Sequence, residues 1–596
     1  MFQTFTVTTS PDAGPARLAK LRKILRAEQV DGFLIPRADA HFGENVAPGS
    51  ERLAWLTGFT GSSGFCAALL DKAGVFIDGR YTLQVRAQID LDSFTPVASK
   101  DVELSDWLIE TLPQGGIIAY DPWLHSFDAI EKLEAAVVDH NITLKKTDNF
   151  VDRVWNDRPE PPKGKIHAHA IGFAGETSES KRQKIGAKLA EQDLIAAVLT
   201  LPDSIAWLLN IRGSDIENIP VALCFAILHA SGDVDLFVDP DKCDDTLRAH
   251  LGTDITLHPE ADFAPKLAAL NGKTAVDRDT APVAISDQLQ DPVWATDPCI
   301  LPKACKNPTE IAGTRTAHIR DAAAMAEFLC WLETAAPSGT LTEIDVVQKL
   351  ENFRRNTNAL KDISFETICG SGPNGAIIHY RVDENSNRTI QTGETLLVDS
   401  GGQYEDGTTD ITRTTAIGEV SNATKRANTL VLKGMIAITR ARWPVGLTGR
   451  DLDGFARIAL WQAGMDYDHG TGHGVGAYLS VHEGPQSISA RVTPPLEPGM
   501  IVSNEPGHYK EGAYGIRIEN LLVVTPPTIP DGGERMMLGF ETLTFVPIDH
   551  HLILPDLLSI DERNWLNDYH AKVFEKINDL VSATTSEWLK SACAPI

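Results

Sequence analysis

The chain has 596 residues, 43% hydrophobic and 23% charged, an ordinary globular composition long enough for three or four domains at about 150 residues each. Its 54 Lys+Arg against 81 Asp+Glu give a formal net charge of −27, which argues against a nucleic-acid binder and against an anionic membrane surface as partner. Eight scattered cysteines form no CxxC pair; this disfavours a zinc ribbon or thioredoxin-like site and fits reduced thiols in a cytoplasmic protein.

The opening MFQTFTVTTSPDAG has no basic stretch followed by an apolar one, so no signal peptide is expected. Pro15–Glu28 places Leu18, Leu21, Ile24 and Leu25 at helical spacing, and Asp31–Pro36 reads as a short buried strand. Glu51–Gly61 follows, with Ala54-Trp55-Leu56 at its centre. The same order returns at the strand Ala196–Pro202 and the segment Asp203–Gly213, where Ala206-Trp207-Leu208 and Gly213 match Ala54-Trp55-Leu56 and Gly61. Cys66–Leu70 then parallels Cys224–Leu228, and Asp78 and Asp239 each close the next apolar strand. A duplicated α/β unit explains this, with an extra segment Arg37–Ser50 in the first copy; chance likeness of two α/β units is the alternative. The copies are too few for a solenoid. The longest apolar stretch, Ile219–Ala230, is too short to span a bilayer and reads as a buried strand.

Asp148–Lys165, rich in Pro, Asp and Lys, reads as the link between the copies. A second breaker, Leu301–Pro308, precedes a long helix from about Thr309 to Thr334, with Asn307 as N-cap and Pro308 in its first turn. The expected domains are 1–160, 161–305 and 306–596; the body of the third ends near Pro526-Pro527, and a tail of mixed strand and helix character runs to Ile596.

The third domain carries the chemistry. Asp399 is the one charge in the apolar strand Thr395–Gly401, and Asp410 lies in the β-branched run Gly407–Thr414. The glycine-containing loop between them suggests a hairpin that brings the two carboxylates together. His473 sits in Gly470–Gly476, Glu505 ends the strand Met500–Pro506, and Glu519 lies in Tyr514–Leu522, two residues from Arg517 and so on its face of a strand. Taken singly, each acid has an ordinary reading as a turn or salt-bridge residue, and the histidine as a core or surface one. Taken together, four carboxylates and one imidazole have one economical explanation, a pair of divalent cations whose charge they balance. Oxygen-rich ligation with a single His favours Mn²⁺, with Co²⁺, Fe²⁺ and Zn²⁺ as alternatives. Two such ions lower the pKa of a shared water towards neutrality.

The ordered segments VDSGGQYEDGTTDITRT, GTGHGVG, VHEGP, NEPGHY and GIRIEN resemble the pita-bread metallopeptidases, a family that includes methionine aminopeptidase, prolidase and aminopeptidase P. Within it the chain is most similar to the three-domain, cytosolic type of aminopeptidase P, over essentially its whole length. FIDGRYTLQ at Phe76–Gln84 resembles part of that group's front half, and GFETLTFVPID at Gly539–Asp549 its C-terminal extension, which begins at about 537. The resemblance implies two related N-terminal α/β (creatinase-like) domains followed by a pita-bread catalytic domain, α/β (α+β) overall. It implies hydrolysis of the N-terminal Xaa-Pro bond of peptides by a hydroxide bridging two metals. Asp399 would bind one metal, Asp410 and Glu519 both, and His473 and Glu505 the second. His379 and His482 would stand near the substrate carbonyl, and His469 near the substrate. Glu505 would shuttle a proton, Arg517 orient the site, Tyr509 line the pocket, and Arg80 reach a neighbouring subunit's substrate. The resemblance also implies a homodimer through the last domain. His508 departs from the pattern, where an aromatic residue is expected.

Two glycine-rich motifs are decoys. Gly370–Gly375 matches GxGxxG, but no helix clearly follows and Pro373 interrupts it; a tight loop ahead of a strand bearing His379 is the better reading. Gly470–Gly476 lacks a P-loop Lys-Ser/Thr, and close backbone approach to the metal site explains it. Rival functions are a dipeptide-specific prolidase with the same metal set and a non-catalytic binding protein on the same fold. Length, duplication and the tail disfavour the first, and the complete ligand set disfavours the second.

Overall fold

In the computed structural model, which describes all 596 residues, the front of the chain forms two six-stranded sheets of one topology. The first runs Thr95–Ala98, Ala73–Ile77, Phe65–Leu69, Gly32–Pro36, Gly116–Tyr120, Ile142–Lys146. The second runs Ile255–His258, Val234–Phe237, Phe225–His229, Ala196–Leu199, Thr274–Val276, Pro292–Trp294. In each, two antiparallel pairings join the central strands and the outer pairings are parallel. The inner strands are buried on both faces, which is why they read as unbroken apolar runs. The helix Gly14–Ala27 lays Leu18, Leu21 and Leu25 into the core of the first sheet, as its spacing predicts. Asp78 and Asp239 end the matching strands for one reason: each side chain accepts the backbone N–H two residues on, at 3.0 and 2.9 Å, and opens a 3₁₀ turn. Of the apolar run from Ile219, only Phe225–His229 is strand; the residues before it are loop. No helix is long and apolar enough to cross a membrane.

The chain divides into two compact units: Thr8–Ile171 with Glu176–Ile300, and Met1–Val7 and Gly172–Gly175 with Leu301–Ile596. The first residues thus belong with the C-terminal half. The backbone N–H groups of Phe2 and Gln3 donate to Glu351, and Gln3 pairs with the Thr367 backbone in both directions.

The C-terminal unit is built on the helix Pro308–Ala335, whose start is fixed by a reciprocal capping box between Asn307 and Glu310. Thr395–Ser400 lies between Ile368–Ser371 and Ile411–Ala416 in a three-stranded antiparallel sheet. A six-stranded sheet runs Arg442–Pro444, Met537–Thr542, Asn520–Val524, Ile501–Asn504, Gly472–Gly474, Glu483–Ile488. The tail therefore supplies an inner strand of this sheet, Met537–Thr542, before its helices Ile560–Ile577 and Ala583–Ala592. A short pair, Gly507–Lys510 and Tyr514–Arg517, completes the site-bearing framework.

Candidate metal centre

The hairpin expectation holds in its register. Asp399 pairs with Thr412 and Ser400 with Ile411, so Asp410, two residues before Thr412, falls on the face of Asp399. The connection is itself folded: Gly402–Tyr404 and Gly407–Thr408 pair in a separate small sheet with Asp362–Ile363. His473 lies where the ladder between Gly472–Gly474 and Glu483–Ile488 shifts register, an irregularity that re-aims its side chain. A Cβ on Gly472 would stand 1.9 Å from the Ser503 carbonyl, so this strand needs glycine for backbone approach. His473 Nδ1 is 2.8 Å from the Gly474 carbonyl and donates to it, which turns Nε2 toward Asp410 at 3.4 Å and Glu505 at 3.5 Å.

Glu519 donates its backbone N–H to the Thr412 carbonyl and accepts the Thr412 hydroxyl at 2.8 Å. Asp410, His473 and Glu519 each offer a ligand atom within 4.8 Å of the others. Arg517, as buried as Glu519, donates Nη2 to Asp399 at 2.6 Å, Nη1 to the Tyr509 hydroxyl at 2.6 Å and Nε to Thr412 Oγ1 at 3.2 Å. The Tyr509 hydroxyl in turn meets His469 Nε2 at 2.9 Å, while His469 Nδ1 donates to the Gly470 carbonyl. His469 Nδ1 also lies 4.0 Å from Glu505. The His482 ring packs edge-on against His473 at 4.2 Å between centroids.

Two expected residues stand differently. His379 is on a turn, not a strand: the chain leaves Ile368–Ser371 through the 3₁₀ helix Gly372–Ala376, and the Ile378 carbonyl before His379 accepts from Arg517 at 3.4 Å. The turn is pinned by Glu343, whose buried carboxylate accepts from Ser371 N–H, Asn374 Nδ2, and the Tyr380 hydroxyl at 2.7 to 3.1 Å. Arg80 lies in the other unit, on the 3₁₀ turn Gly79–Tyr81, forked onto Asp78 at 2.7 to 3.2 Å. His508 is half-buried, 6.1 Å from the Tyr514 ring, and burial pushes its pKa down. Thr412 and Glu343 were missed by sequence reasoning. Thr412 had a signal, the alternation that sets it on Asp410's face; Glu343 had none, being partnered only across the fold.

The electrostatics ask for cations. Burial lifts Asp399 to about 7, with Asp410 and Glu505 adding to the rise against the pull of Arg517. Burial with Asp410, Asp399 and Glu505 pushes Glu519 well above the carboxylate range, and burial lifts Glu505 against His473 and Arg517. His473 resists burial and rises to about 9 on Asp410 and Glu505. Asp399 Oδ1 and Asp410 Oδ1 are buried without a hydrogen-bond partner. Four carboxylates with two orphaned oxygens and a correctly turned imidazole fit a pair of hard divalent ions.

Residues 312–526 match Metallopeptidase family M24, residues 17–154 and 157–310 each match the Creatinase/Prolidase N-terminal domain, and 536–596 match the C-terminal region of peptidase M24. Aminopeptidase P2 of Arabidopsis thaliana is 39% identical, over 97% of this chain and 88% of its own length. The crystal structure of an X-prolyl aminopeptidase from Caenorhabditis elegans, described as a cytosolic enzyme with a di-nuclear active site, superposes with a TM-score of 0.94. It is 34% identical and covers 98% of this chain and 100% of its own. An Xaa-Pro dipeptidase from Bacillus anthracis shares the fold over 63% of this chain and 99% of its own, at a TM-score of 0.51 and 24% identity.

Proposed function

The chain belongs to the Xaa-Pro aminopeptidase P family of M24 metallopeptidases, and on that premise we propose that it removes the first residue from peptides with proline second, using Asp399, Asp410, His473, Glu505 and Glu519 to hold two divalent cations, Mn²⁺ by preference. The observation that carries this is the gathering of Asp410, His473 and Glu519 within 4.8 Å, with Glu505 3.5 Å from His473 and Asp399 held by Arg517, in a chain that matches an aminopeptidase end to end. The dipeptidase fold leaves a third of the chain unmatched, which favours the aminopeptidase.

When bound, the ions supply a water of lowered pKa and a positive charge at the scissile carbonyl. The side chains do the rest. Arg517 orients Asp399 and pulls against the rise that burial gives its proton affinity, and Thr412 does the same for Glu519. Glu505 is the group that carries the proton to the leaving prolyl nitrogen; burial raises its proton affinity toward that task. His379 and His482 face the developing oxyanion as donors. The prolyl nitrogen is a tertiary amide without N–H, so recognition falls to ring shape and carbonyl contacts, with Tyr509 as a wall. His469 steadies Tyr509 as well as facing substrate. Arg80 is assigned to a partner subunit's substrate. We read the domains as 1–160, 161–305 and 306–596, the setting as cytoplasmic, and the assembly as a homodimer through the last domain.

The test is metal-stripped protein with the tripeptide Arg-Pro-Pro, with and without Mn²⁺, followed by arginine release. Mn²⁺-dependent release is expected. Cleavage of Xaa-Pro dipeptides alone would mean a prolidase, and bound metal with neither peptide cut would mean a non-catalytic binder.

A further inference from the structure

The segment from Asp466 to Thr471 carries His469 and leads into His473, yet most of it has no strand or helix to hold its backbone. It is held instead from one turn of the helix Arg450–Trp461. Arg457 donates Nη1 to the Tyr467 carbonyl at 2.8 Å and to Asp466 at 2.8 Å, Nη2 to the His469 carbonyl at 2.7 Å, and Nε to Asp453 at 2.8 Å. Its guanidinium stacks over the Tyr467 ring at 3.9 Å. Asp453, one turn earlier on the same face, accepts the Thr471 hydroxyl at 2.6 Å, and that hydroxyl accepts from the Tyr467 hydroxyl at 2.5 Å. The Thr471 carbonyl accepts the backbone N–H of Glu505 at 2.8 Å. Asp453, Arg457 and Thr471 are all buried.

Every link in this chain is directional. Arg457 has only donors and meets two carbonyls and two carboxylates; Thr471 donates once and accepts once. The segment cannot shift without leaving buried polar groups unpaired. Its two ends are His469, which reaches Tyr509, and Thr471, which fixes Glu505 from behind.

We propose that Asp453, Arg457 and Thr471 form a positioning triad that sets the His469–His473 segment and Glu505 in register for the reaction, without touching substrate. This rests on the aminopeptidase reading, and deepens it. Arg457→Lys keeps the charge beside Asp453 but gives up the fork onto the two carbonyls. Thr471→Val keeps shape and removes the hydroxyl; Thr471→Ser restores it.

The experiment measures kcat and KM on Arg-Pro-Pro, together with calorimetric Mn²⁺ binding to the metal-free proteins. For R457K and T471V, kcat is expected to fall by about 10- to 100-fold with KM within about twofold, and Mn²⁺ affinity to fall by about tenfold, the size of a displaced supporting contact. T471S is expected to recover both. Wild-type kcat and Mn²⁺ affinity in R457K and T471V would overturn the proposal, as would T471S failing like T471V. Should the wild type bind Mn²⁺ and cut nothing, the functional reading is what fails, and the Mn²⁺ affinities of the variants alone decide on the triad.

Discussion

At the scale of single residues, Thr412 shows how a small hydroxyl orders a charged centre. It donates to Glu519 and accepts from Arg517 Nε, so one side chain fixes both a candidate ligand and the cation that holds Asp399. Thr412→Val preserves volume and takes away both contacts. It is expected to weaken Mn²⁺ binding by about 10- to 100-fold, as loss of a second partner behind a ligand does, and to destabilise the folded protein by about 1–3 kcal/mol from the group left unpaired. Metal titration and urea unfolding check the two numbers separately. Unchanged metal affinity would mean that Glu519 is held by its backbone N–H to Thr412 alone.

At the scale of elements, what was legible in the sequence was what depends on neighbours along the chain. Apolar strands carrying one acid, the capped helix at Pro308 and the hairpin that joins the strand of Asp399 to the one after Asp410 all follow from local pattern. What was not legible depends on distant partners. The turn bearing His379 exists because Glu343, from the helix Glu343–Arg355, gathers donors on both sides of it. Glu343→Ala is therefore expected to destabilise by roughly 3 kcal/mol through several unpaired donors, to lower kcat about tenfold or more, and to open the 372–380 turn to proteolysis. An intact turn and wild-type kcat would refute this role for Glu343. Strand character in the tail was legible, but its place in the sheet was not, since its neighbours Asn520–Val524 and Arg442–Pro444 are chosen by tertiary pairing. Behind it, His570 accepts the Ile548 N–H through Nε2, which requires a neutral ring, and burial, with His550 and Arg413 nearby, pushes its pKa down to about 3. An unfolded histidine titrates near 6.5, so between about pH 6.5 and 3 the unfolded chain binds the extra proton and stability falls as pH falls. Between pH 7 and 5.5, the wild type is expected to lose about 1 kcal/mol more than His570→Gln in urea unfolding. Equal losses would show that the ring charges freely in the fold.

At the scale of the whole molecule, the helix Arg450–Trp461 has two faces with different work. Leu452, Ala456 and Leu460 are buried, whereas Phe455, Ile458 and Trp461 are 47%, 53% and 51% exposed at a spacing of three residues. Val445, five residues before the helix in sequence, is 55% exposed. An apolar row of this kind, on a chain of net charge −27, is where a contact with another protein would be sought first. A second copy related by a two-fold axis is the occupant that fits the proposed homodimer, because an isologous contact covers the same row on both copies at once. The symmetry sharpens the test. A single substitution enters the interface twice, so Ile458→Glu places two carboxylates in a desolvated contact, each costing several kcal/mol unless it is paired. Sedimentation at micromolar concentration is expected to give a dimer for the wild type and a monomer for the variant. Because Ile458 is exposed, the variant's thermal unfolding as a monomer should show an intact fold. A monomeric wild type would leave the row unexplained and remove the homodimer. A dimeric Ile458→Glu protein would move the interface to another surface.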